Sequence, residues 1–221
     1  MKTKLLTIAM TAALMLTAMT KVQAQDFEGP CLPSAHGLNG HQSAFCGSTQ
    51  SITLASGTNW FSTYVDLTLE ELQSAIQDAL GNSVTATLTS QNANIRYTRG
   101  RWGATPSDFV WDVALMYVLE VSADCEFTLE GMAIVPSEHP ITVKPGTNWI
   151  GYPFSTSKTL TDAYAGFAVN GDEIKGMNGN NRYVRNRWSS TGLTTLEPGQ
   201  GYKYTSSEAE DRVLIYPSSA K

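Results

Sequence analysis

The sequence predicts a β-rich α+β fold made of two tandem copies of a small β module, each with one short helix. An internal repeat predicts the duplication. ITLASGTNW at Ile52–Trp60 returns as ITVKPGTNW at Ile141–Trp149, and RYTRGRW at Arg96–Trp102 returns as RYVRNRW at Arg182–Trp188. Two ordered matches at nearly equal spacing are the signature of a repeated structural unit. Short apolar runs between Gly, Asn, Ser and Thr predict strands and turns, and helix-forming runs are few.

The chain opens with the layout of a secretory signal peptide over residues 1–24. Two lysines precede an apolar run, Leu5–Leu16, and Val22 and Ala24 supply small residues before a cut at Gln25. The run is shorter than the ~20 apolar residues that a bilayer core of ~30 Å requires, and a retained membrane anchor is the alternative. We expect a secreted or cell-surface protein with no integral membrane insertion after cleavage.

Residues 25–50 match neither copy and are predicted to form an N-terminal lead closed by a disulfide. An exported chain meets an oxidising compartment, which favours pairing of its three cysteines, Cys31, Cys46 and Cys125. Two histidines evenly spaced between Cys31 and Cys46 would also allow a zinc site, but structural zinc sites usually bring two ligands onto one tight turn. We therefore predict a Cys31–Cys46 disulfide and no metal or other cofactor, with pairing to Cys125 as the alternative.

The first copy is expected at residues 51–136 and the second at residues 137–217, joined by the Pro-containing stretch 135–140. Each copy is predicted to begin with an apolar strand entered through a Gly-Thr-Asn turn. These strands are Trp60–Val65 and Trp149–Phe154.

A short helix is predicted next in each copy. In the first, Thr68 and Glu71 form a capping box and Gly81 is placed to end the helix. Thr159 caps a shorter version in the second. The apolar residues expected to face inward are Leu69, Leu72, Ile76 and Leu80 in the first copy, and Leu160, Ala163 and Phe167 in the second.

A hairpin and two closing strands complete each predicted copy. The hairpin tips are Arg99-Gly100 and Arg185-Asn186, since Gly and Asn tolerate the positive φ of a tight turn. The closing strands are expected at Ala114–Val121 and Glu126–Ile134 in the first copy, and at Gly201–Thr205 and Arg212–Tyr216 in the second.

These motifs resemble the repeated "GWN" module of exported bacterial and archaeal proteins, whose pattern is G-W-N-x-[IF]-S, a helix, a Trp-containing hairpin and L-x-P-G-x-G-Y. The second copy matches it at Gly146–Gly151 and Leu196–Tyr202. The first matches at Gly57–Ser62 but has Trp111–Tyr117 (WDVALMY) where P-G-x-G-Y would stand, and both copies have Thr at the first Trp position. The resemblance covers about residues 52–217. It implies a surface, adhesin-like or polysaccharide-associated protein with no catalytic residues.

The repeated tryptophans Trp60 and Trp149 are predicted to lie in matching core positions, since aromatic residues in strands usually bury large areas. Stacking against a sugar is the alternative role. Six arginines are concentrated in the two hairpins. The candidate ligand-binding residues are Arg96, Arg99, Arg101, Trp102, Arg182, Arg185, Arg187 and Trp188. Such arginines either keep strand edges solvated or bind carboxylate and sulfate groups, which Arg recognises bidentately.

Composition and motifs narrow the function classes. The net charge of −5 with 16% charged residues argues against a nucleic-acid partner. No G-x-S-x-G, H-E-x-x-H or phosphate-binding loop occurs, so we expect no enzyme. The sequence favours a non-catalytic adhesion-type module for acidic glycans or another extracellular surface partner. The alternatives are a structural spacer or assembly protein and, more remotely, a polysaccharide hydrolase whose acidic pair would come from residues such as Asp172 and Glu173.

Overall fold

The computed structural model describes residues 47–217, which fold mainly into antiparallel strands, and the predicted β-rich α+β class is confirmed. The strands of the first half are β1 (Ser48–Leu54), β2 (Gly57–Phe61), β3 (Val65–Asp66), β4 (Ala86–Thr89), β5 (Asn94–Thr98), β6 (Arg101–Trp102), β7 (Tyr117–Val121) and β8 (Cys125–Ala133). Those of the second half are β9 (Ile141–Val143), β10 (Gly146–Ile150), β11 (Lys158–Thr159), β12 (Glu173–Gly176), β13 (Gly179–Val184), β14 (Arg187–Trp188), β15 (Thr195–Leu196), β16 (Tyr202–Ser206) and β17 (Arg212–Leu214). The helices are α1 (Leu69–Leu80) and α2 (Leu160–Ala163), and a short 3₁₀ turn, Pro136–Glu138, lies between the halves.

The two halves contain five-stranded sheets of the same strand order. The first sheet is β2-β7-β4-β5-β6 and the second is β10-β16-β12-β13-β14. Smaller sheets, β1-β8-β3 in the first half and β9-β17 and β11-β15 in the second, complete the architecture. The repeated sequence therefore corresponds to a repeated arrangement of strands.

Each five-stranded sheet buries one of its two sides. Successive side chains on a strand point to opposite sides, so every second residue faces the core. Burying a large apolar side chain contributes about 1.5–3 kcal/mol, and both cores contain many such residues. Representative members are Phe61, Leu72, Ile76, Leu88, Tyr97 and Leu119 in the first core, and Ile150, Tyr152, Leu160, Ile174, Tyr204 and Tyr216 in the second.

The predicted starts of both helices and the predicted end of α1 are confirmed, but α2 ends at Ala163, so Phe167, which was expected on its inward face, packs against the second core from the chain that follows the helix. Thr68 Oγ1 accepts a hydrogen bond from the Glu71 amide at 3.2 Å, while a Glu71 carboxylate oxygen accepts from the Thr68 amide at 2.7 Å. This capping box satisfies two backbone groups that the first turn leaves free. Gly81 ends the helix with φ at 63°. Thr159 caps α2 in the same manner, accepting from the Asp162 amide.

The predicted hairpin tips are confirmed as well. Arg99 and Gly100 have φ of 52° and 77°, and Arg185 and Asn186 have φ of 54° and 59°. Two consecutive residues at positive φ define the turn whose twist matches the flanking strands. Tyr97 lies directly opposite Trp102, as Tyr183 lies opposite Trp188.

The predicted Gly-Thr-Asn turn is wrong, because these residues are the first three of β2 and β10. The side chain of Asn59 in β2, or of Asn148 in β10, stabilises the backbone at the start of the strand. Its carbonyl oxygen accepts from the backbone amide four residues earlier, and its amide donates to the carbonyl oxygens of that same residue and of the strand's first glycine. The side chain thus holds the chain where it bends into the strand.

The first half begins earlier than predicted. β1 starts at Ser48, ahead of the expected start of the first copy at residue 51, and pairs along its length with β8. Gln50 is fully buried, where it donates to the Ser62 carbonyl and accepts from the Tyr64 amide. The predicted signal peptide, most of the lead and the Cys31–Cys46 disulfide lie outside the described residues. Cys125, the single cysteine within residues 47–217, is half-buried opposite Leu54.

The halves are joined through two equivalent contacts related by pseudo-two-fold symmetry. Phe61, the last residue of β2, bridges to Gln200 just before β16, and Ile150, the last residue of β10, bridges to Leu115 just before β7. In each bridge, the end of the first strand of one copy meets a residue just before the Tyr-containing strand of the other copy. Each copy therefore contributes the same two segments, as in an isologous dimer interface. Matching backbone hydrogen bonds flank the bridges, Ser62 N to Gly199 O at 3.1 Å and Gly151 N to Ala114 O at 2.8 Å.

Met116 and Gly201 occupy equivalent positions at this join, each directly before the first tyrosine of β7 or β16. A Cβ atom on Gly201 would lie 2.1 Å from Met116 Cγ, so the space accepts one long side chain and not two. This packing explains why the two copies differ here, with V-A-L-M-Y in the first and P-G-Q-G-Y in the second.

Candidate functional site

The two five-stranded sheets each have one side that faces away from the cores, and we call these two sides together the outer face. Trp60 of the first sheet touches Lys203 of the second, so the two sides meet where the halves join. The charged and tryptophan residues of the outer face are Trp60, Arg96, Arg101, Glu120, Trp149, Glu173, Lys175, Arg182, Arg187 and Lys203.

Charge is distributed very unevenly over the molecule. Six basic and two acidic residues lie at strand positions of the outer face, which gives this face a net charge of +4. The chain as a whole has a net charge of −5. The remaining surface is therefore strongly acidic. An anion approaching the protein is attracted to the outer face and repelled elsewhere.

The hairpin arginines divide into two groups. Arg96, Arg101, Arg182 and Arg187 are exposed strand residues of the outer face, and Arg182 pairs with Glu173 at 3.3 Å. Arg99 and Arg185 lie in the turns, exposed and at positive φ.

The two hairpins belong to different sheets. β5-β6 lies at one edge of the first sheet and β13-β14 at one edge of the second. Within each hairpin the structure brings its arginines together.

The hairpin tryptophans point to the other side of the sheets. Trp102 is half-buried, packs against Tyr97 with ring centroids 5.2 Å apart and ring planes tilted by 53°, and donates from its indole nitrogen to the Gln73 carbonyl at 2.9 Å. Trp188 is 8% exposed and packs in the second core against Tyr183. The strand arginines and the tryptophan of each hairpin therefore lie on opposite sides of the sheet and do not form the single contact surface that the sequence suggests.

The prediction that Trp60 and Trp149 are core residues is wrong. They occupy matching positions, as predicted, but both are half-buried and belong to neither core. Phe61 and Ile150, the next residues along, take the core positions. Alternation along the strand then places the tryptophans on the outer face.

Lys203 links the two tryptophans. It lies directly opposite Trp149 in the β10-β16 pair, and its ammonium nitrogen is 4.9 Å from the Trp149 ring centroid and 4.4 Å from that of Trp60. Both distances are within the ~6 Å range of cation–π attraction. Sequence reasoning missed the half-buried Lys203, because no local pattern distinguishes it from the other lysines of the chain.

The join between the halves also has a polar contact and a small cavity. Gln91, in the turn between β4 and β5, donates to the Thr147 carbonyl at 3.2 Å and accepts from the Trp149 amide at 3.0 Å. A cavity of about 40 Å³ beside Gln91, Met116 and Trp149 has room for water molecules only.

The carboxylates named for a hydrolase pair have other surroundings. Asp172 and Glu173 are consecutive: Asp172 is fully buried and bonded to Arg212 at 2.8 Å, while Glu173 begins β12 and pairs with Arg182 on the outer face. Glu71 serves the capping box, and its hydrogen bonds from the Thr68 backbone and side chain lower its pKa. Within residues 47–217, no three His, Cys, Asp or Glu side chains are grouped to hold a metal ion.

Neither helix in the described part of the chain is long and apolar enough to cross a bilayer. Comparison of the chain with protein-family models, curated proteins and solved structures found no match. The resemblance to the GWN module stays a prediction, and a function for this chain has to be inferred from the chemistry of the outer face.

Proposed function

We propose that this chain is an exported, non-catalytic surface protein that binds acidic polysaccharides along its outer face. The observation that carries the proposal is the concentration of six basic residues on that face of a net acidic chain. Exposed arginines suit carboxylate and sulfate groups, to which the guanidinium donates two parallel hydrogen bonds, and Arg96, Arg101 and Arg187 have no ion-pair partner among the described residues.

The dimensions of the face favour a polymer over a small ligand. Adjacent strands are ~4.8 Å apart, so each five-stranded sheet is about 20 Å wide, and the two arginine hairpins are the outer strands of different sheets. A single sugar ring can touch the arginines of one hairpin only. A chain of charged sugars can contact both, and simultaneous contact raises the overall affinity of individually weak sites by ~10²–10⁴.

Salt dependence follows from the same chemistry. Each exposed ion pair contributes only ~0–1 kcal/mol and is screened by salt, so affinity has to come from several contacts together. Binding is therefore strong at low ionic strength and falls sharply at about 1 M salt, where the Debye length is ~3 Å.

The test measures binding of the mature protein to polygalacturonate and chondroitin sulfate, with neutral dextran as reference. A variant with Arg96, Arg101, Arg182 and Arg187 replaced by Ser should bind the acidic polymers at least tenfold more weakly. Four contacts of about 0.5 kcal/mol each sum to about 2 kcal/mol, which exceeds one decade in Kd.

A charge-matched control separates local binding from overall charge. Replacing Gln77, Ser137, Thr142 and Thr161 by Glu changes the net charge by the same amount at exposed positions off the outer face. This control should retain most of the binding. If both variants bind like the wild type, or the wild type binds no acidic polymer, the proposal fails and a structural spacer or assembly role replaces it.

A further inference from the structure

At the centre of the outer face, two equivalent tryptophans from different copies share one cation. Trp60 comes from the first copy, while Trp149 and Lys203 come from the second. We propose that these three residues form a subsite for a single anionic sugar ring, such as a hexuronate or a sulfated hexose. This inference rests on the proposed function and specifies which class of acidic polymer the face selects.

The tryptophans are placed to bind and not to stabilise a core. They lie outside both hydrophobic clusters, whereas the next residue of each strand, Phe61 or Ile150, is buried in a core. The join between the copies already has backbone hydrogen bonds and the Gln91 contacts. The two indole rings are therefore not the sole contacts that stabilise the join.

The symmetry of the join is broken at the cation. Val118 lies opposite Trp60 as Lys203 lies opposite Trp149, so the two copies have different residues at equivalent positions. The first copy has an apolar residue, Val118, at this position. A lysine at the second position adds a charge within reach of both rings.

The chemistry of the three groups matches one kind of ligand. An indole face has negative electrostatic potential and packs well against the C–H face of a pyranose ring. The flexible four-carbon stem of Lys203 lets its ammonium donate to a carboxylate or sulfate on the same sugar. A polyanion without sugar rings can use the arginines but gains nothing from the tryptophans.

The decisive measurement is ring preference. Wild-type protein should bind polygalacturonate more tightly than poly-L-glutamate, which has carboxylates but no rings. Trp60→Ala and Trp149→Ala should each weaken polygalacturonate binding by up to about tenfold, since an aromatic contact contributes about 0.5–1.5 kcal/mol. Neither should change the binding of poly-L-glutamate.

Two further variants complete the test. Lys203→Met keeps the length and packing of the side chain, and should weaken polygalacturonate binding more than poly-L-glutamate binding. Trp111→Phe alters a half-buried tryptophan away from the outer face, bonded to the Leu67 carbonyl, and should leave the preference unchanged. Circular dichroism confirms that each variant is folded.

The outcomes distinguish this inference from the proposed function. If polygalacturonate and poly-L-glutamate bind equally and the tryptophan variants behave like the wild type, the subsite is wrong while the polyanion-binding face stands. If neither polymer binds, the proposed function fails and the subsite with it.

Discussion

The carboxylate of Asp172 is fully buried and accepts hydrogen bonds from five donors. These donors are the Tyr204 hydroxyl, the Val169 amide, the Ser207 amide and hydroxyl, and the Arg212 guanidinium. Burial raises the pKa of Asp172, but the hydrogen bonds, that of Tyr204 foremost, outweigh burial and hold the pKa below its ordinary value. The network therefore requires a charged aspartate.

The lowered pKa of Asp172 predicts acid sensitivity. A carboxyl whose pKa is lower in the folded than in the unfolded state contributes stability above its unfolded pKa of about 3.9, and that stability is lost as the pH falls through the folded pKa. Asp172→Asn should cost about 3 kcal/mol at pH 7, because Arg212 loses the one carboxylate with which it pairs. Below pH ~4 this difference should shrink.

Urea unfolding at a series of pH values measures both effects. Glu173→Gln is the control, because its ion pair with Arg182 is exposed and should contribute little. An Asp172→Asn variant with wild-type stability at neutral pH would contradict the assignment of this network.

At the scale of elements, Asn59 and Asn148 show how one side chain starts a strand. Both make the same set of bonds to the backbone, but Asn148 is 6% exposed and Asn59 is half-buried. Removing a buried hydrogen-bonding side chain leaves backbone groups unsatisfied at a cost of about 1–3 kcal/mol. The same bonds should therefore contribute differently in the two copies.

We expect Asn148→Ala to lower the free energy of unfolding by about 2 kcal/mol and Asn59→Ala by about 1 kcal/mol. Thermal or urea unfolding of the two variants gives the comparison, with exposed Asn94→Ala in β5 as a neutral reference. Equal losses in both copies would show that burial does not control the strength of these bonds.

At the scale of the whole molecule, the side chain of Met116 in the first copy fills the space beside Gly201 in the second copy. Gly201 does not have a positive φ, so a substitution there is limited by contact with Met116 and not by backbone conformation. Gly201→Ala should cost about 1–3 kcal/mol as overpacking. In a Met116→Ala background the same change should cost clearly less, because the Cγ and Sδ contacts at 2.1 and 2.9 Å are gone and only the close Cβ contact at 3.0 Å remains.

A double-mutant cycle on unfolding free energies measures this coupling. Gly103→Ala is the control, since a Cβ there meets only the Arg96 carbonyl at an ordinary 3.4 Å. Additive effects of the two substitutions would mean that Met116 and Gly201 do not share the space at the join. The cycle also bears on function, because the central subsite is complete only when both copies are docked.

The features that the sequence alone determined are local ones. The capping box at Thr68 and Glu71, the turn at Arg185-Asn186 and the repeat each depend on residues close in the chain or on direct self-similarity. A capping box forms because its side chains bond backbone amides a few residues away, and a tight turn forms where Gly or Asn tolerates a positive φ. Short sequence patterns are enough to indicate both.

Only the tertiary structure decided which residues of the outer face come together. In the apolar run from Trp60 to Val65, periodicity does not indicate which of two adjacent aromatic residues faces the core. Pairing with Val118 and Tyr117 in β7 decides it, because a shift of one residue would exchange the two sides of the strand. The contact of Trp60 with Lys203 then depends on the docking of two copies, which joins residues far apart in the chain and leaves no local pattern.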